Sequence, residues 1–60
     1  MMLKAKILDG KEYGKVGNVI DCLRDNDNYF YVVKVKINGK VKQKLYHEND
    51  IELLGGVVHG

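Results

Sequence analysis

Apolar and polar side chains alternate along residues 2–8, which is the period-two pattern of a half-buried β-strand. The apolar positions are Leu3, Ala5 and Ile7, and the polar positions between them are Lys4 and Lys6. Residues 9–15 hold two glycines, Gly10 and Gly14, among polar residues and predict a loop. The chain therefore begins with a strand and a tight loop.

A second strand is predicted over residues 16–23. This segment has apolar residues at both odd and even positions, and it includes Gly17. A glycine inside a strand pattern often marks a bulge or a bend. A bent strand that is shared between the two halves of a small barrel needs apolar residues on both faces, as this segment has. The polar residues 24–28 then predict a turn.

Residues 29–37 give the strongest strand signal, and Asn38-Gly39 predicts a hairpin to a strand over residues 41–47. A two-residue turn on this dipeptide would set Val33 against Lys44 and leave lysines on the core face. A three-residue loop with Gly39 at a bulge avoids this, and we prefer it because a one-residue slip exchanges the two faces. The preferred loop gives a core face of Tyr31, Val33, Val35, Ile37, Val41, Gln43 and Leu45.

The same register predicts an outer face on which lysines from two neighbouring strands lie together. Its members are Lys34, Lys36, Lys42 and Lys44, with Phe30, Val32 and Tyr46 beside them. Residues 48–50 then predict a single helical turn, residues 51–54 a last short strand, and residues 55–60 a flexible tail. Five short strands without a helix-length period predict an all-β domain over residues 1–54, built as a small closed or nearly closed barrel.

The composition fits one small domain. The chain has 60 residues, 45% of them apolar and 30% charged, with a net charge of +2 and one cysteine. Cys22 has no partner for a disulfide, no uncharged apolar stretch is long enough to span a bilayer, and the N-terminus lacks the apolar run of a signal peptide. We therefore expect a cytoplasmic protein.

The charges are unevenly distributed along the chain. Residues 34–44 contain five lysines and no acidic residue, whereas residues 9–27 and 45–60 are net acidic. The molecule is therefore expected to have a basic side and an acidic side.

Residues 10–21 (GKEYGKVGNVID), followed by a polar turn and the valine-rich strand that ends at Ile37, resemble the KOW motif of SH3-like barrels. That motif occurs in ribosomal proteins and transcription elongation factors, and the wider group includes Tudor-type domains. The resemblance covers residues 10–37, about half of the chain. It implies a five-stranded SH3-like barrel that binds RNA, DNA-associated machinery or a protein partner.

The lysine face suggests a nucleic-acid surface, because gathering like charges on adjacent strands is unfavourable without an anionic partner. Phe30 and Tyr46 beside Lys34, Lys36, Lys42 and Lys44 would offer a stacking surface for bases. The competing interpretation is that these lysines only solvate the outer face and discourage edge pairing.

A second hypothesis uses the tyrosines and the acidic loops. By resemblance to peptide-binding and Tudor-type barrels, they would form a groove or partial cage for a cation or an extended peptide. The residues are Tyr13, Tyr29 and Tyr46 with Asp25 or Asp27. The competing interpretation is that these tyrosines pack in the core, since Tyr31 and Tyr29 both lie on the predicted core face of their strand.

Other candidate chemistry is weak. Residues 25–28 superficially resemble a calcium loop, but the glycine and the glutamate that such a loop needs are replaced by Phe30 and Lys36. His47 with Asp50 or His59 has no informative metal-ligand spacing, and Cys22 with His47 lacks a third orienting group for nucleophilic catalysis. We expect no metal site, no cofactor and no enzymatic activity.

The leading hypothesis is a non-enzymatic binding module that contacts nucleic acid or a nucleoprotein assembly through the lysine face. The alternative is a protein-interaction module or small inhibitor that binds a protein partner through tyrosines and acidic loops. Its small size would suit a phage or mobile-element accessory protein. No membrane partner is expected.

Overall fold

The computed structural model describes residues 3–54, which form five β-strands and two single-turn 3-10 helices. The strands are β1 (Leu3–Ile7), β2 (Val16–Asp25), β3 (Asn28–Ile37), β4 (Lys40–His47) and β5 (Ile51–Leu54). The 3-10 turns are η1 (Gly10–Glu12), between β1 and β2, and η2 (Glu48–Asp50), between β4 and β5. Each predicted strand is present, as is the predicted turn at residues 48–50. The tail predicted at residues 55–60 lies outside the described residues.

The strands form one antiparallel sheet in the order β4-β3-β2-β1-β5, which confirms the all-β class. The long strand β2 is shared. Its residues Val16 to Val19 pair with β1, and its residues Asn18 to Asp25 pair with β3. Within residues 3–54 the edge strands β4 and β5 do not pair with each other, so the sheet is open and the predicted closure is not observed.

Gly17 and the bulge of β2 are separate features. The β2–β3 register shifts between Val19 and Asp21, which leaves Ile20 as the extra residue. At Gly17, where we expected the bend, a Cβ atom would lie 2.5 Å from the carbonyl oxygen of Lys34 and 2.7 Å from Cγ1 of Val33. Glycine is therefore required there because two backbones approach closely.

The core lies on one face of the sheet and is small. Its buried members are Ala5, Ile7, Val33, Val35 and Ile51, with Val19, Tyr31, Ile37 and Tyr46 packed against them. The alternating apolar positions of β1 and β3 supply most of it, as their period predicts. The opposite face of the sheet, called the outer face below, is left to solvent.

The hairpin between β3 and β4 differs from the preferred prediction. Ile37 pairs with Lys40, and both turn residues have positive φ, 52° at Asn38 and 80° at Gly39. These are the features of a two-residue type I′ turn, whose twist matches that of the flanking strands. The bulged three-residue loop is therefore wrong.

The two-residue turn reverses the faces of β4. Lys42 lies opposite Val35 and Lys44 opposite Val33, so both belong to the core side of the sheet. The outward positions are taken instead by Val41, Gln43 and Leu45. The arrangement is tolerated because β4 is an edge strand that is exposed from Lys40 to Leu45, and lysine stems can lie on apolar surface while their ammonium groups stay in water.

The loop between β1 and β2 folds back onto its own strands. Gly10 (φ 73°) and Gly14 (φ 89°) adopt the left-handed conformation that the tight loop requires. The amide of Gly14 donates to the carbonyl of Ile7 at 2.7 Å. The loop also reaches β4, where Nζ of Lys44 lies 3.2 Å from Oε1 of Glu12.

No helix within residues 3–54 has the length and apolar character needed to cross a membrane.

Candidate nucleic-acid interface

A shallow groove crosses the outer face of the sheet and has a volume of about 630 Å³. Its lining residues come from four neighbouring strands and are Lys4, Val16, Gly17, Asn18, Lys34, Val35, Lys36 and Val41. We call this surface the lysine groove. It lies over the place where Gly17 brings β2 close to β3.

Strand pairing aligns two lysines of the groove in a row across three strands. Lys4 pairs with Asn18, and Asn18 pairs with Lys34, so the three side chains form one row across β1, β2 and β3. Because neighbouring strands are about 4.8 Å apart, the α-carbons of Lys4 and Lys34 are separated by about 10 Å. Lys36 follows Lys34 on the same face of β3. All three lysines line the groove.

The lysine groove is positive without internal compensation. None of its lining residues within the described chain is acidic, and no ion pair involving Lys4, Lys34 or Lys36 forms among residues 3–54. Two acidic residues border the groove on the outer face: Glu52 opposite Lys6, and Asp21 opposite Val32. The lysines of the groove therefore keep their positive charge unpaired among residues 3–54, which favours an anionic ligand.

Exposed apolar side chains continue the outer face beyond Lys34. Phe30 pairs with Leu23, and Val32 pairs with Leu45. Leu23 is 47% exposed and Leu45 is 55% exposed. Phe30 is four residues from Lys34 along β3, a distance of about 13 Å. An apolar surface therefore lies next to the positive one.

His47 holds Phe30 in position. The two rings meet edge to face, with 5.2 Å between their centroids and an interplanar angle of 80°. Nδ1 of His47 accepts a hydrogen bond from the amide of Asn49 at 3.1 Å. The proton is therefore on Nε2, which donates to Oδ1 of Asn28 at 2.9 Å. His47 thus links the start of η2 to the start of β3.

The lysine face predicted from the sequence is divided by the sheet. Lys34, Lys36 and Phe30 lie on the outer face as expected, but the hairpin register moves three other members to the core side: Lys42, Lys44 and Tyr46. On the opposite side of Lys34, Asn18 and Lys4 extend the outer face across β2 and β1, and neither was expected from the sequence to belong to this surface. The alternation of residues 2–8 puts Lys4 on the polar side of β1, but only the β1–β2 pairing shows what lies next to it.

Tyr46 is a packing residue. Its hydroxyl is buried and has no hydrogen-bond partner among residues 3–54. Burial raises the pKa of Tyr46 above the ordinary value of 10.0, the nearby ammonium of Lys44 lowers it, and the carboxylates of Glu12 and Asp9 raise it. Burial is also the main reason why the pKa of Tyr31 is raised, followed by the charge and hydrogen bond of Cys22. Tyr46 pairs with Tyr31 and therefore lies on the core side of the sheet, away from Lys34 and Lys36.

The tyrosine and acid set of the second hypothesis is only partly assembled. Asp25 and Asp27 lie at the β2–β3 hairpin close to Tyr29, whereas Tyr13 belongs to the β1–β2 loop, where it is 67% exposed. The ring of Tyr29 already faces a cation, since the guanidinium carbon of Arg24 is 5.7 Å from its centroid. An internal arginine thus occupies the position that a bound cation would take.

The residues considered for catalysis and metal binding are not assembled into a site within the described chain. Cys22 pairs with Tyr31 and His47 with Phe30, so the two lie on opposite faces of the sheet. No group of three or more His, Cys, Asp or Glu side chains between residues 3 and 54 could hold a metal ion. His59 lies outside the described residues.

Comparisons of the chain with protein-family models, curated proteins and solved structures found no match. The candidate functions therefore rest on the residues of this chain.

Proposed function

We propose that this chain is a non-enzymatic binding module that contacts the phosphate backbone of nucleic acid, alone or within a nucleoprotein assembly, through the lysine groove. The observation that supports this proposal is a groove lined by three lysines and, within the described chain, by no carboxylate. Three neighbouring cations without counter-charges repel one another. A row of phosphates relieves that repulsion and releases counterions.

The row from Lys4 through Asn18 to Lys34 gives the direction of the bound backbone. The terminal lysines contact phosphates, and the Asn18 amide between them supplies both a donor and an acceptor. Glu52 and Asp21 repel phosphates on either side of this row. The exposed apolar side chains around Phe30 then receive unstacked bases, which favours single strands over duplexes.

We further propose that the fold is a partly open variant of the SH3-like barrel, of the KOW or Tudor type. The long strand β2, which pairs with β1 through one half and with β3 through the other, supports this assignment. So do the 3-10 turn between β4 and β5 and the positive φ angles of Gly10 and Gly14 in the motif-like segment.

Binding of labelled single-stranded and duplex DNA and RNA, followed by fluorescence anisotropy at two salt concentrations, tests the function. Three phosphate contacts predict that log K falls against log salt with a slope of about −2 to −3. The variant Lys4→Gln/Lys34→Gln/Lys36→Gln should lose this binding. The matched control Lys11→Gln/Lys40→Gln/Lys42→Gln removes the same charge from outside the groove and should retain most of it. Equal loss in both variants would contradict a groove-specific contact.

The protein-binding alternative is distinguished by a variant outside the groove. Tyr13→Ala/Asp25→Lys changes an exposed loop tyrosine and the hairpin carboxylate. It should leave nucleic-acid affinity within about twofold of the parent, because neither residue lines the groove. Loss of binding in this variant would support the loops rather than the groove as the contact surface.

A further inference from the structure

β4 forms an open edge of the sheet. Its residues from Lys40 to Leu45 are all exposed, including Val41 at 58% and Leu45 at 55%. Only β3 pairs with β4 within residues 3–54. An exposed strand of this length is a template on which another extended chain can add.

The hairpin turn determines which backbone groups face outward. In a two-residue hairpin, the residues that flank the turn exchange both hydrogen bonds, so Ile37 and Lys40 form a hydrogen-bonded pair. Hydrogen-bonded and non-hydrogen-bonded pairs then alternate along an antiparallel ladder. Consequently Val41, Gln43 and Leu45 direct their N–H and C=O groups away from β3. None of the three takes part in the backbone hydrogen bonds observed outside the strand ladders in the described chain.

The side chains of β4 carry a two-sided pattern. Lys40, Lys42 and Lys44 project on the core side, and Val41 and Leu45 project on the outer side. If a second copy added its own β4 in antiparallel orientation with matching faces, lysines would oppose lysines, which is destabilising. The pattern therefore disfavours self-association and favours a strand with acidic residues at alternate positions.

The chain already shows how a carboxylate is accepted on this side. Glu12 approaches Lys44 with 3.2 Å between Oε1 and Nζ, while 42% of the Lys44 side chain stays exposed. Lys40 and Lys42 form no ion pair among residues 3–54. Two cations at alternate positions of an open edge thus remain available to carboxylates.

We propose that β4 accepts an extended acidic peptide segment as an added antiparallel strand. Its acidic side chains alternate with apolar ones and face Lys40 and Lys42, while its apolar side chains cover Val41 and Leu45. The backbone groups of Val41, Gln43 and Leu45 supply the hydrogen bonds. This edge shares Val41 with the lysine groove but none of the three groove lysines, so the proposal does not depend on nucleic-acid binding.

A synthetic heptapeptide that alternates acidic and apolar residues, Glu-Val-Glu-Thr-Glu-Val-Glu, provides the probe. Its control is a permuted peptide of the same composition, Glu-Glu-Val-Val-Thr-Glu-Glu. NMR titration should give at least tenfold tighter binding of the alternating peptide, and amide exchange should slow at Val41, Gln43 and Leu45. Equal affinity for the two peptides, or binding of neither, would overturn the proposal and leave the lysines as edge guards only.

Two sets of variants test the geometry. Gln43→Pro removes one outward-facing N–H without removing a hydrogen bond to β3, so it should abolish peptide binding, whereas Gln43→Ala should preserve it. Lys40→Glu/Lys42→Glu should lose the acidic peptide and gain affinity for Lys-Val-Lys-Thr-Lys-Val-Lys. This charge exchange keeps the test valid if the proline variant does not fold, and its failure would contradict the proposed pairing. The variant Lys4→Gln/Lys34→Gln/Lys36→Gln should bind the acidic peptide like the parent, and loss there would assign the peptide to the groove.

Discussion

Ile37 lies directly opposite Lys40 across the β3–β4 turn, and this pairing places Lys42 and Lys44 on the core side of the sheet. Lys34 and Lys36, one strand away, remain on the outer face. The lysines of residues 34–44 are therefore separated into two sets, one in the lysine groove and one along the open edge of β4. The two proposed binding surfaces follow from this separation.

The register of the hairpin depends on the backbone of Asn38. Its φ of 52° is left-handed, a conformation that asparagine adopts more readily than alanine. Asn38→Ala should lower the free energy of unfolding by about 1 kcal/mol, and Asn38→Gly should not lower it appreciably. Urea denaturation of the two variants checks this. A bulged loop would tolerate alanine at this position, so an unchanged Asn38→Ala protein would contradict the observed turn.

Gly17 is expected to be intolerant of any side chain. A Cβ atom would lie 2.5 Å from the Lys34 carbonyl oxygen, and a backbone atom in a central strand cannot move aside cheaply. Gly17→Ala should reduce the free energy of unfolding by about 1 to 3 kcal/mol. It should also disturb the lysine groove, so that chemical shifts change at Lys34 and Lys36. A Gly17→Ala protein as stable as the parent would show that β2 and β3 are less closely packed.

The buried hydroxyl of Tyr46 costs free energy because it has no hydrogen-bond partner among residues 3–54. Tyr46→Phe keeps the ring and removes the hydroxyl. The free energy of unfolding should therefore rise by about 1 kcal/mol. Tyr13→Phe is the control, since that side chain is 67% exposed and its change should leave stability unaltered. Destabilisation of Tyr46→Phe would instead indicate a hydrogen bond that the hydroxyl makes in solution.

Stability should decline at alkaline pH through two tyrosines. Burial raises the pKa of both Tyr31 and Tyr46 above the ordinary value of 10.0, so the folded protein retains phenolic protons that the unfolded chain releases. The two protonated tyrosines therefore contribute fully to the free energy of unfolding below about pH 10. This contribution is lost as the pH rises through their folded-state pKa values. Urea titrations at increasing pH should show a weaker decline for Tyr31→Phe/Tyr46→Phe. An equal decline in the parent and this variant would exclude these groups as its cause.

The strands could be predicted from the sequence because the pattern of each strand depends only on neighbouring residues. Alternation at residues 3–7 and the β-branched run that ends at Ile37 reflect contacts of each residue with its own face of the sheet. The turn Glu48–Asp50 is likewise predicted from a local run of polar residues. A bulge or bend in β2 was expected at Gly17, but the bulge lies at Ile20, because its position depends on how β2 and β3 align with each other.

The site could be predicted only in part. The alternation of β3 predicts that Lys34 and Lys36 lie on the outer face. Which residues lie beside them depends on the sign of φ at Asn38 and on the pairing of β1 with β2. Val41 and Leu45 were expected on the core face because both are apolar. β4 is an uncovered edge strand instead, so its lysines can face the core side without being desolvated.

The most direct test of the proposed function is an NMR titration of the ¹⁵N-labelled protein with a short single-stranded oligonucleotide. Binding through the groove predicts that chemical shifts change around Lys4, residues 16–18 and residues 34–36, and that the changes decrease at higher salt. The β1–β2 loop and the tip of the β2–β3 hairpin should stay unaffected. Changes centred on Tyr13 and residues 25–29, or none even at low salt, would contradict binding through the groove.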